Sequence, residues 1–235
     1  MKAAKSSKDL VESALAQHRA GRIKEAESGY RKLLSRNPQH EQALFMLSVL
    51  LFESQRFEEA SRYLERAVAI RPNQPVLLTN LGEAYRRHGN LERAAAAFER
   101  VLAEEPDFPE AHQNLGLTLM GAGAASEALP HLERAAALRP DSVRFQVSLA
   151  WVLAQLNRPE ESLAHAQRAV ELDPNHAPAH HHLGNALAER GDRSGAMASY
   201  RRAVELDPTD FDAHSNSILV ALTDPSFDSA RLLAE

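Results

Sequence analysis

The sequence predicts an all-α protein built from tandem helix pairs. Composition is the first indication: helix formers such as Ala, Leu, Glu and Arg dominate, while Ile occurs three times and Thr four times in 235 residues. β-Sheets need the branched and aromatic residues that are scarce here. The second indication is a proline that recurs every 34 residues, at Pro38, Pro72, Pro106, Pro140, Pro174 and Pro208. We therefore expect a repeat protein of short helices.

The recurring proline, taken as position 32 of a unit, divides the chain into six complete units and a partial seventh. The complete units are 7–40, 41–74, 75–108, 109–142, 143–176 and 177–210, and the partial unit or cap is 211–235. Position 8 is Ala, Ser or Gly in the six complete units, and position 20 is Ala or Ser in all seven. Small side chains at fixed sites on two successive helices let their backbones approach closely.

Each unit has the pattern of two helices joined by a tight turn. In the first helix, positions 4, 7, 8 and 11 share one face at about 100° per residue and form a packing stripe. A glycine at position 15 supplies a left-handed turn that ends this helix. These glycines are Gly21, Gly89, Gly123 and Gly191. The second helix ends before the recurring proline. Helices this short are marginal alone, so we expect stacking to stabilise them.

Charge and composition exclude several classes of function. The net charge is −5, which argues against a broad electrostatic grip on nucleic acid or anionic lipid. Cysteine is absent, which excludes disulfides, thiolate metal sites and cysteine nucleophiles. The N-terminal segment carries Lys2, Lys5 and Lys8 without an apolar run behind them. We therefore expect neither a signal peptide nor a membrane span, and a cytoplasmic protein.

The sequence contains no phosphate-binding loop, nucleophile elbow or zinc-protease motif. His180, His181 and His182 are consecutive, so their side chains point about 100° apart along a helix and cannot chelate one ion. His112, His180 and His214 all occupy position 4 of the packing stripe, where we expect structural roles. We therefore predict no metal, no cofactor and no catalysis by this chain.

The 34-residue unit resembles the tetratricopeptide repeat, which has small residues at positions 8 and 20, a large residue at 24 and proline at 32. The third and sixth units match best. The resemblance implies a right-handed superhelical α-solenoid of antiparallel helix pairs, forming a single domain over residues 1–235. Ser13 and Gln17 replace apolar residues in the first unit, as a polar terminal cap requires. The seventh unit departs from the pattern at Ser217 and Ile218.

In tetratricopeptide arrays, the first-helix face opposite the packing stripe lines a concave groove that binds protein partners or peptides. Positions 2, 5, 6, 9, 12 and 13 lie on this face, which we call the first-helix face. It is apolar in the first two units, where it includes Val11, Leu15, Phe45, Met46, Val49 and Phe52. From the third unit onward it is polar and includes Gln113 and Ser148. We therefore predict a non-catalytic interaction scaffold. Its candidate partner-binding residues are Phe45, Val49, Phe52, Asn80, Asn114, Trp151, His181, Asn185 and Asn216.

Four of these candidates have a structural alternative. Trp151, the only tryptophan, either packs against a neighbouring helix or anchors a partner, a role in which tryptophan is enriched. Phe45, Val49 and Phe52, which we call the apolar strip, form a binding or self-association surface unless the N-terminal helix or a tight local curvature hides them.

Two other functions compete with the scaffold. Asn80, Asn114 and Asn216 occupy position 6, as in the asparagine ladder of O-linked N-acetylglucosamine transferases, although other units interrupt the ladder. The C-terminal tail also resembles the junction after the last repeat in bacterial relatives of those enzymes, so the chain would be the recruiting arm of a larger glycosyltransferase. The third possibility is a self-assembling repeat module. A chaperone-type carboxylate clamp is disfavoured, because His181 stands where that clamp has lysine.

Overall fold

We describe residues 7–222 of the chain in a computed structural model. These residues form thirteen α-helices and no strand. The helices are α1 (Ser7–Arg19), α2 (Ile23–Arg36), α3 (Glu41–Glu53), α4 (Phe57–Ile70), α5 (Pro75–Arg87), α6 (Leu91–Glu104), α7 (Pro109–Gly121), α8 (Ala125–Leu138), α9 (Val143–Gln155), α10 (Pro159–Leu172), α11 (Ala177–Glu189), α12 (Arg193–Leu206) and α13 (Phe211–Leu222). The predicted all-α class and helix pairing are confirmed.

The helix boundaries follow the 34-residue register. From the second unit to the seventh, the first helix begins at position 1 of its unit, from Glu41 in α3 to Phe211 in α13. In each of the six complete pairs, the second helix begins at position 17 and has 14 residues. Proline stands in the first turn of α5, α10 and α11, where its missing N–H has no intrahelical partner to lose. The local signals in the sequence therefore set the limits of the helices.

The chain also divides into two compact units between Thr118 and Leu119, within α7. We call these two the first and second units, and we call each 34-residue segment a repeat. In the first unit, Leu44, Leu47 and Leu51 of α3 are fully buried. In the second unit, one buried cluster joins α8 and α9 around Leu132 and Phe145, and another joins α12 and α13 around Tyr200. Each unit thus has its own packed interior. The single solenoid over residues 1–235 stays a prediction.

The turn between the two helices of each pair needs a residue with positive φ at position 15. The four predicted glycines have φ values from +70° to +87°. In the second and fifth repeats, Gln55 and Asn157 adopt φ values of 58° and 55° at the same position. Glycine and asparagine reach this region readily, whereas glutamine does so at a cost. The turn geometry is therefore kept even where the favoured residue is missing.

Glycine at position 8 permits close packing of a large ring within a pair. A Cβ atom on Gly184 would lie 2.6 Å from Cε1 of Tyr200, and one on Gly82 would lie 2.7 Å from Cε1 of Phe98. Both distances are far inside van der Waals contact. The small residue at position 8 and the large one at position 24 thus form a complementary pair.

In the first unit, arginine side chains connect adjacent repeats by bonding to the recurring proline. Nη2 of Arg66 donates to the carbonyl oxygen of Pro38 at 2.7 Å, and Nη2 of Arg100 donates to that of Pro72 at 2.8 Å. Both arginines occupy position 26, and each bonds a proline 28 residues earlier, in the turn before its own repeat. We call each of these contacts a joint.

At three later turns, a nearby residue instead of an arginine bonds the proline carbonyl. The residue at position 4 donates to the proline carbonyl six residues earlier. The pairs are His112 Nε2 to Pro106 at 2.8 Å, Gln146 Nε2 to Pro140 at 3.0 Å and His180 Nε2 to Pro174 at 2.9 Å. A carbonyl oxygen only accepts, so both histidines carry the proton on Nε2. Their predicted structural role takes this form, whereas His214 is exposed.

Candidate partner-binding site

The first-helix face is accessible in both compact units. On α3, Leu47 and Leu51 are buried, whereas Phe45, Val49 and Phe52 are half-buried. On α11, the same register leaves His181, His182 and Asn185 half-buried. Part of each of these six side chains is therefore accessible within residues 7–222.

Three assignments to this face are wrong. Val11, Gln113 and Ser148 are buried. The short side chain of Ser148 turns back onto its own helix, where Oγ donates to the carbonyl oxygen of Arg144 at 2.9 Å. Burial of Val11 follows from its apolar, branched side chain, which gains free energy by leaving water. A helical period assigns a face but does not report how deep each side chain lies.

The apolar strip lies on three successive turns of α3. The ring of Phe52 meets the ring of Phe57 edge to face, with centroids 5.1 Å apart. The guanidinium carbon of Arg87 lies over the Phe57 ring, 4.9 Å from its centroid, so a cation also contacts this ring. Phe52 therefore belongs to a supported aromatic group, while Val49 and Phe45 continue the apolar surface along α3.

A cavity of about 210 Å³ opens beside Phe45, at the N-terminal ends of α3 and α5. We call it the α3–α5 cavity. It is lined by Glu41, Gln42, Phe45, Ala67, Arg71, Gln74, Val76 and Leu77. Val76 is 53% exposed. Added apolar contact with this side chain beside the cavity would remove apolar surface from water.

The asparagines at position 6 of the first unit are accessible but not equivalent. Asn80 is half-buried, and its Nδ2 donates to the carbonyl oxygen of Val76 at 2.7 Å, one turn earlier on α5. Asn114 is half-buried on α7. The bond within α5 fixes the Asn80 amide and leaves its Oδ1 as the atom best placed to accept from a ligand.

Trp151 lies on α9 of the second unit and is half-buried between the fully buried Ala150 and Val152. The indole is therefore accessible in part. Both alternatives, packing and partner binding, stay predictions.

The structure brings His181, Asn185 and Asn216 into one polar cluster across α11, α12 and α13. The Asn185 Oδ1 atom accepts from the Tyr200 hydroxyl at 2.8 Å and from Asn216 Nδ2 at 3.1 Å. His181 Nδ1 lies 2.9 Å from Oδ2 of Asp210, the residue before α13. Burial raises the pKa of Tyr200 to about 12, so its hydroxyl stays protonated and donates.

His182 and Asp210 have opposite responses to this environment. The His182 ring stacks on the His181 ring with centroids 5.4 Å apart. Burial and then the neighbouring His181 lower the pKa of His182 to about 4, so the ring is neutral at pH 7. Burial opposes ionisation of Asp210, but hydrogen bonds from the Ala213 N–H and from His181 outweigh it and lower the pKa of that carboxyl. The cluster therefore joins the Asp210 carboxylate to polar side chains of α11, α12 and α13.

No group of three or more His, Asp or Glu side chains within residues 7–222 has the arrangement of a metal site. In the same range, no helix is both long and apolar enough to cross a membrane.

Three family models match the chain, each described as a tetratricopeptide or TPR repeat. One matches residues 17–81, 51–117 and 85–128, the second matches 114–177, and the third matches 184–216. Together these matches extend over most of the sequence. The chain belongs to the tetratricopeptide repeat family. No curated protein matches it significantly.

Solved structures similar to this tetratricopeptide repeat protein share its fold. PilF of Pseudomonas aeruginosa matches with a TM-score of 0.72 at 16% identity, covering 91% of this chain and 97% of that one. MamA from Desulfovibrio magneticus RS-1, residues 41 to the end, has a TM-score of 0.64 at 27% identity, with 72% and 96% covered. YrrB, described as a TPR protein with an unusual peptide-binding site, has a TM-score of 0.60 at 22% identity, with 79% and 96% covered.

Sequence reasoning missed two residues of the tetratricopeptide surface. Val76 occupies position 2 of its repeat, and a complete listing of the first-helix face would have included it. Asp210 directly precedes α13, and its Oδ1 accepts from the N–H of Ala213, which caps the helix. An aspartate just before an expected helix start is a recognisable capping signal, but its bond to His181 depends on tertiary structure.

Proposed function

We propose that this protein is a cytoplasmic, non-catalytic scaffold that binds a peptide or a segment of a partner protein on its first-helix face. The observation that carries the proposal is the apolar strip, where Phe45, Val49 and Phe52 remain partly exposed on successive turns of one helix. Apolar surface that stays accessible on a folded protein usually marks an interaction site. Membership of the tetratricopeptide repeat family and the fold shared with YrrB support this function.

The polar cluster of the second unit supplies a different kind of contact. Asn185 accepts two internal hydrogen bonds through Oδ1, so its Nδ2 group is the part directed to a ligand. Asn216 donates from Nδ2 and keeps Oδ1 as an acceptor. A donor and an acceptor held by a fixed network complement the main chain of a peptide. Trp151 would add apolar area to the same unit.

A site-specific cross-link tests the proposal. A photoreactive benzoylphenylalanine replaces Val49 on the first-helix face, and the control carries it at Ala96, which is exposed on α6. We expect partner peptides to be captured from the cell by the Val49 variant, and the capture to disappear when Phe45 and Phe52 are both replaced by serine. Equal capture from both positions, or unfolding of the serine double variant, would place the site elsewhere.

Self-association is a second candidate, favoured by one observation on α13. Four large apolar side chains on this helix are exposed: Phe211 by 77%, Ile218 by 45%, Leu219 by 61% and Leu222 by 62%. A second copy could cover them. Sedimentation of the full chain, with Leu219→Gln as the comparison variant, distinguishes the two functions, because a scaffold remains monomeric and a self-assembling module forms an oligomer that the substitution weakens.

The glycosyltransferase arm stays a prediction from the sequence. Residues 223–235, more than half of the tail that carries the resemblance, lie outside the described residues. Two of the three ladder asparagines, Asn80 and Asn216, use an amide N–H inside the protein. No observation within residues 7–222 favours that function over a scaffold.

A further inference from the structure

The α3–α5 cavity has the construction of a pocket for one side chain. Ala67 and Leu77 are buried and form its apolar floor, and Phe45 and Val76 provide apolar wall. Among the described residues of the first unit, Val76 is the large apolar side chain that is exposed. The pocket thus combines a buried apolar floor with an exposed apolar edge.

The volume of the cavity limits what can enter it. An apolar cavity of about 150 Å³ in a protein interior holds a benzene molecule. The α3–α5 cavity, at about 210 Å³, accommodates a leucine, isoleucine, methionine or phenylalanine side chain, but not a folded element. A complete helix or strand of a partner would have to lie above the cavity and send one residue into it.

The charges around the cavity cancel. The Arg71 Nε and Glu41 Oε2 atoms form an ion pair at 2.7 Å, joining the end of α4 to the start of α3. The other two polar residues of the lining, Gln42 and Gln74, carry uncharged amides. A charged side chain entering here would lose water without gaining a partner, whereas an apolar one gains free energy from burial. The amides can bond the main chain that flanks the inserted residue.

We propose that the α3–α5 cavity is a specificity pocket that takes one uncharged apolar side chain of about leucine size from the bound peptide. This proposal rests on the proposed function and names the chemistry of the partner. The inserted residue lies beside the apolar strip, so the partner segment would continue along α3 from Phe45 toward Phe52.

A peptide-display selection against the full-length protein tests the pocket. The probe is a library of random dodecapeptides, and the selected peptides are then measured by fluorescence anisotropy. We expect them to share one position restricted to Leu, Ile, Met or Phe. Replacement of that residue by aspartate should weaken binding about 10- to 100-fold, the affinity equivalent of the 1.5–3 kcal/mol gained by burying such a side chain.

Substitutions that fill the pocket provide the matched comparison. Val76→Trp blocks the cavity from an exposed position, and Ala96→Trp adds the same ring to an exposed position on α6. We expect the first variant to lose binding about 10- to 100-fold and the second to retain it, with native circular dichroism melting curves for both.

Three results would overturn the inference. Selected peptides that bind Val76→Trp as tightly as the original protein would leave the scaffold function intact but reject the pocket. A dimer of the original protein that Val76→Trp dissociates would make a second copy the occupant. Failure to select any peptide would reject the scaffold function together with the pocket.

Discussion

Acidification should weaken the second unit through His182. In the unfolded chain this histidine has an ordinary pKa near 6.5. In the folded protein, burial and the stacked His181 ring lower the pKa of His182 to about 4. Between these two values the unfolded chain binds a proton that the folded protein excludes. Stability is therefore complete above about pH 6.5 and is lost as the pH falls toward 4.

The size of this effect follows from the two pKa values. At pH 5, the difference between 6.5 and about 4 corresponds to roughly 2 kcal/mol of lost stability, at 1.36 kcal/mol per pKa unit. His165 acts in the same direction, because burial lowers the pKa of that ring. The pH dependence of wild-type stability therefore contains the contributions of both histidines. The ionised Asp210 and the rings of His181 and His176 are the charged or titratable groups that influence His182.

The assay compares His182→Gln with His214→Gln, a control on the exposed side of α13. A repeat array need not unfold in one step, so amide hydrogen exchange of α11 reports the relevant opening free energy. We expect the wild type and the control to lose about 2 kcal/mol more than His182→Gln between pH 7.5 and 5. The measurement stops at pH 5, because below it carboxyls of the unfolded chain begin to protonate. Burial opposes ionisation of a folded carboxyl such as Glu27, but Arg56 and Arg31 outweigh it and lower its pKa, so the folded protein stays ionised and a second loss of stability would be added.

A direct titration can refute this reasoning. In a proton NMR titration of the ring resonances, His182 should remain neutral down to pH 5. If its ring titrates near pH 6.5, or if His182→Gln loses as much protection in acid as the wild type, the burial argument is wrong.

Substitutions at three further positions test other parts of the structure. Gly184→Ala places a Cβ 2.6 Å from Tyr200 and should destabilise by about 1–3 kcal/mol in thermal melts despite better helix propensity; an unchanged melt would show that the ring moves freely. Gln55→Gly, at a φ of 58°, should stabilise by about 0.5–1 kcal/mol in urea, and Gln55→Ala should not; equal effects would rule out backbone strain as the cause. Trp151→Ala should weaken partner binding by about 2 kcal/mol in calorimetry, roughly thirtyfold, unless the indole only packs.

The helix limits could be predicted because their causes are local. Proline ends or begins a helix through its own ring, and a residue at position 15 either reaches positive φ or does not. These constraints act within a few residues of the chain. The register they define therefore placed α3 to α13 without any tertiary information.

The polar cluster could not be predicted because its contacts join distant residues. The bond between Asn185 and Asn216 spans 31 residues, and that between His181 and Asp210 spans 29. Repeat register placed the first three of these residues on accessible faces, but it contains no distances between side chains. The bond of Asn80 to the carbonyl of Val76 was missed for a different reason, since an asparagine on a helix can face either a ligand or its own backbone.

The joints have a consequence for how the array changes length. Excision of residues 41–74 would connect the first repeat directly to the third. Arg100 would then stand 28 positions after Pro38, which is the separation that now joins Arg66 to the Pro38 carbonyl. The shortened chain would lose the apolar strip yet keep an arginine at the same interval for the new connection. Duplication of the same segment would extend the surface with its joint already supplied. The apolar strip and the joint of its repeat are thus encoded in one 34-residue segment, so gene rearrangement can delete or multiply the strip without having to create a new connection.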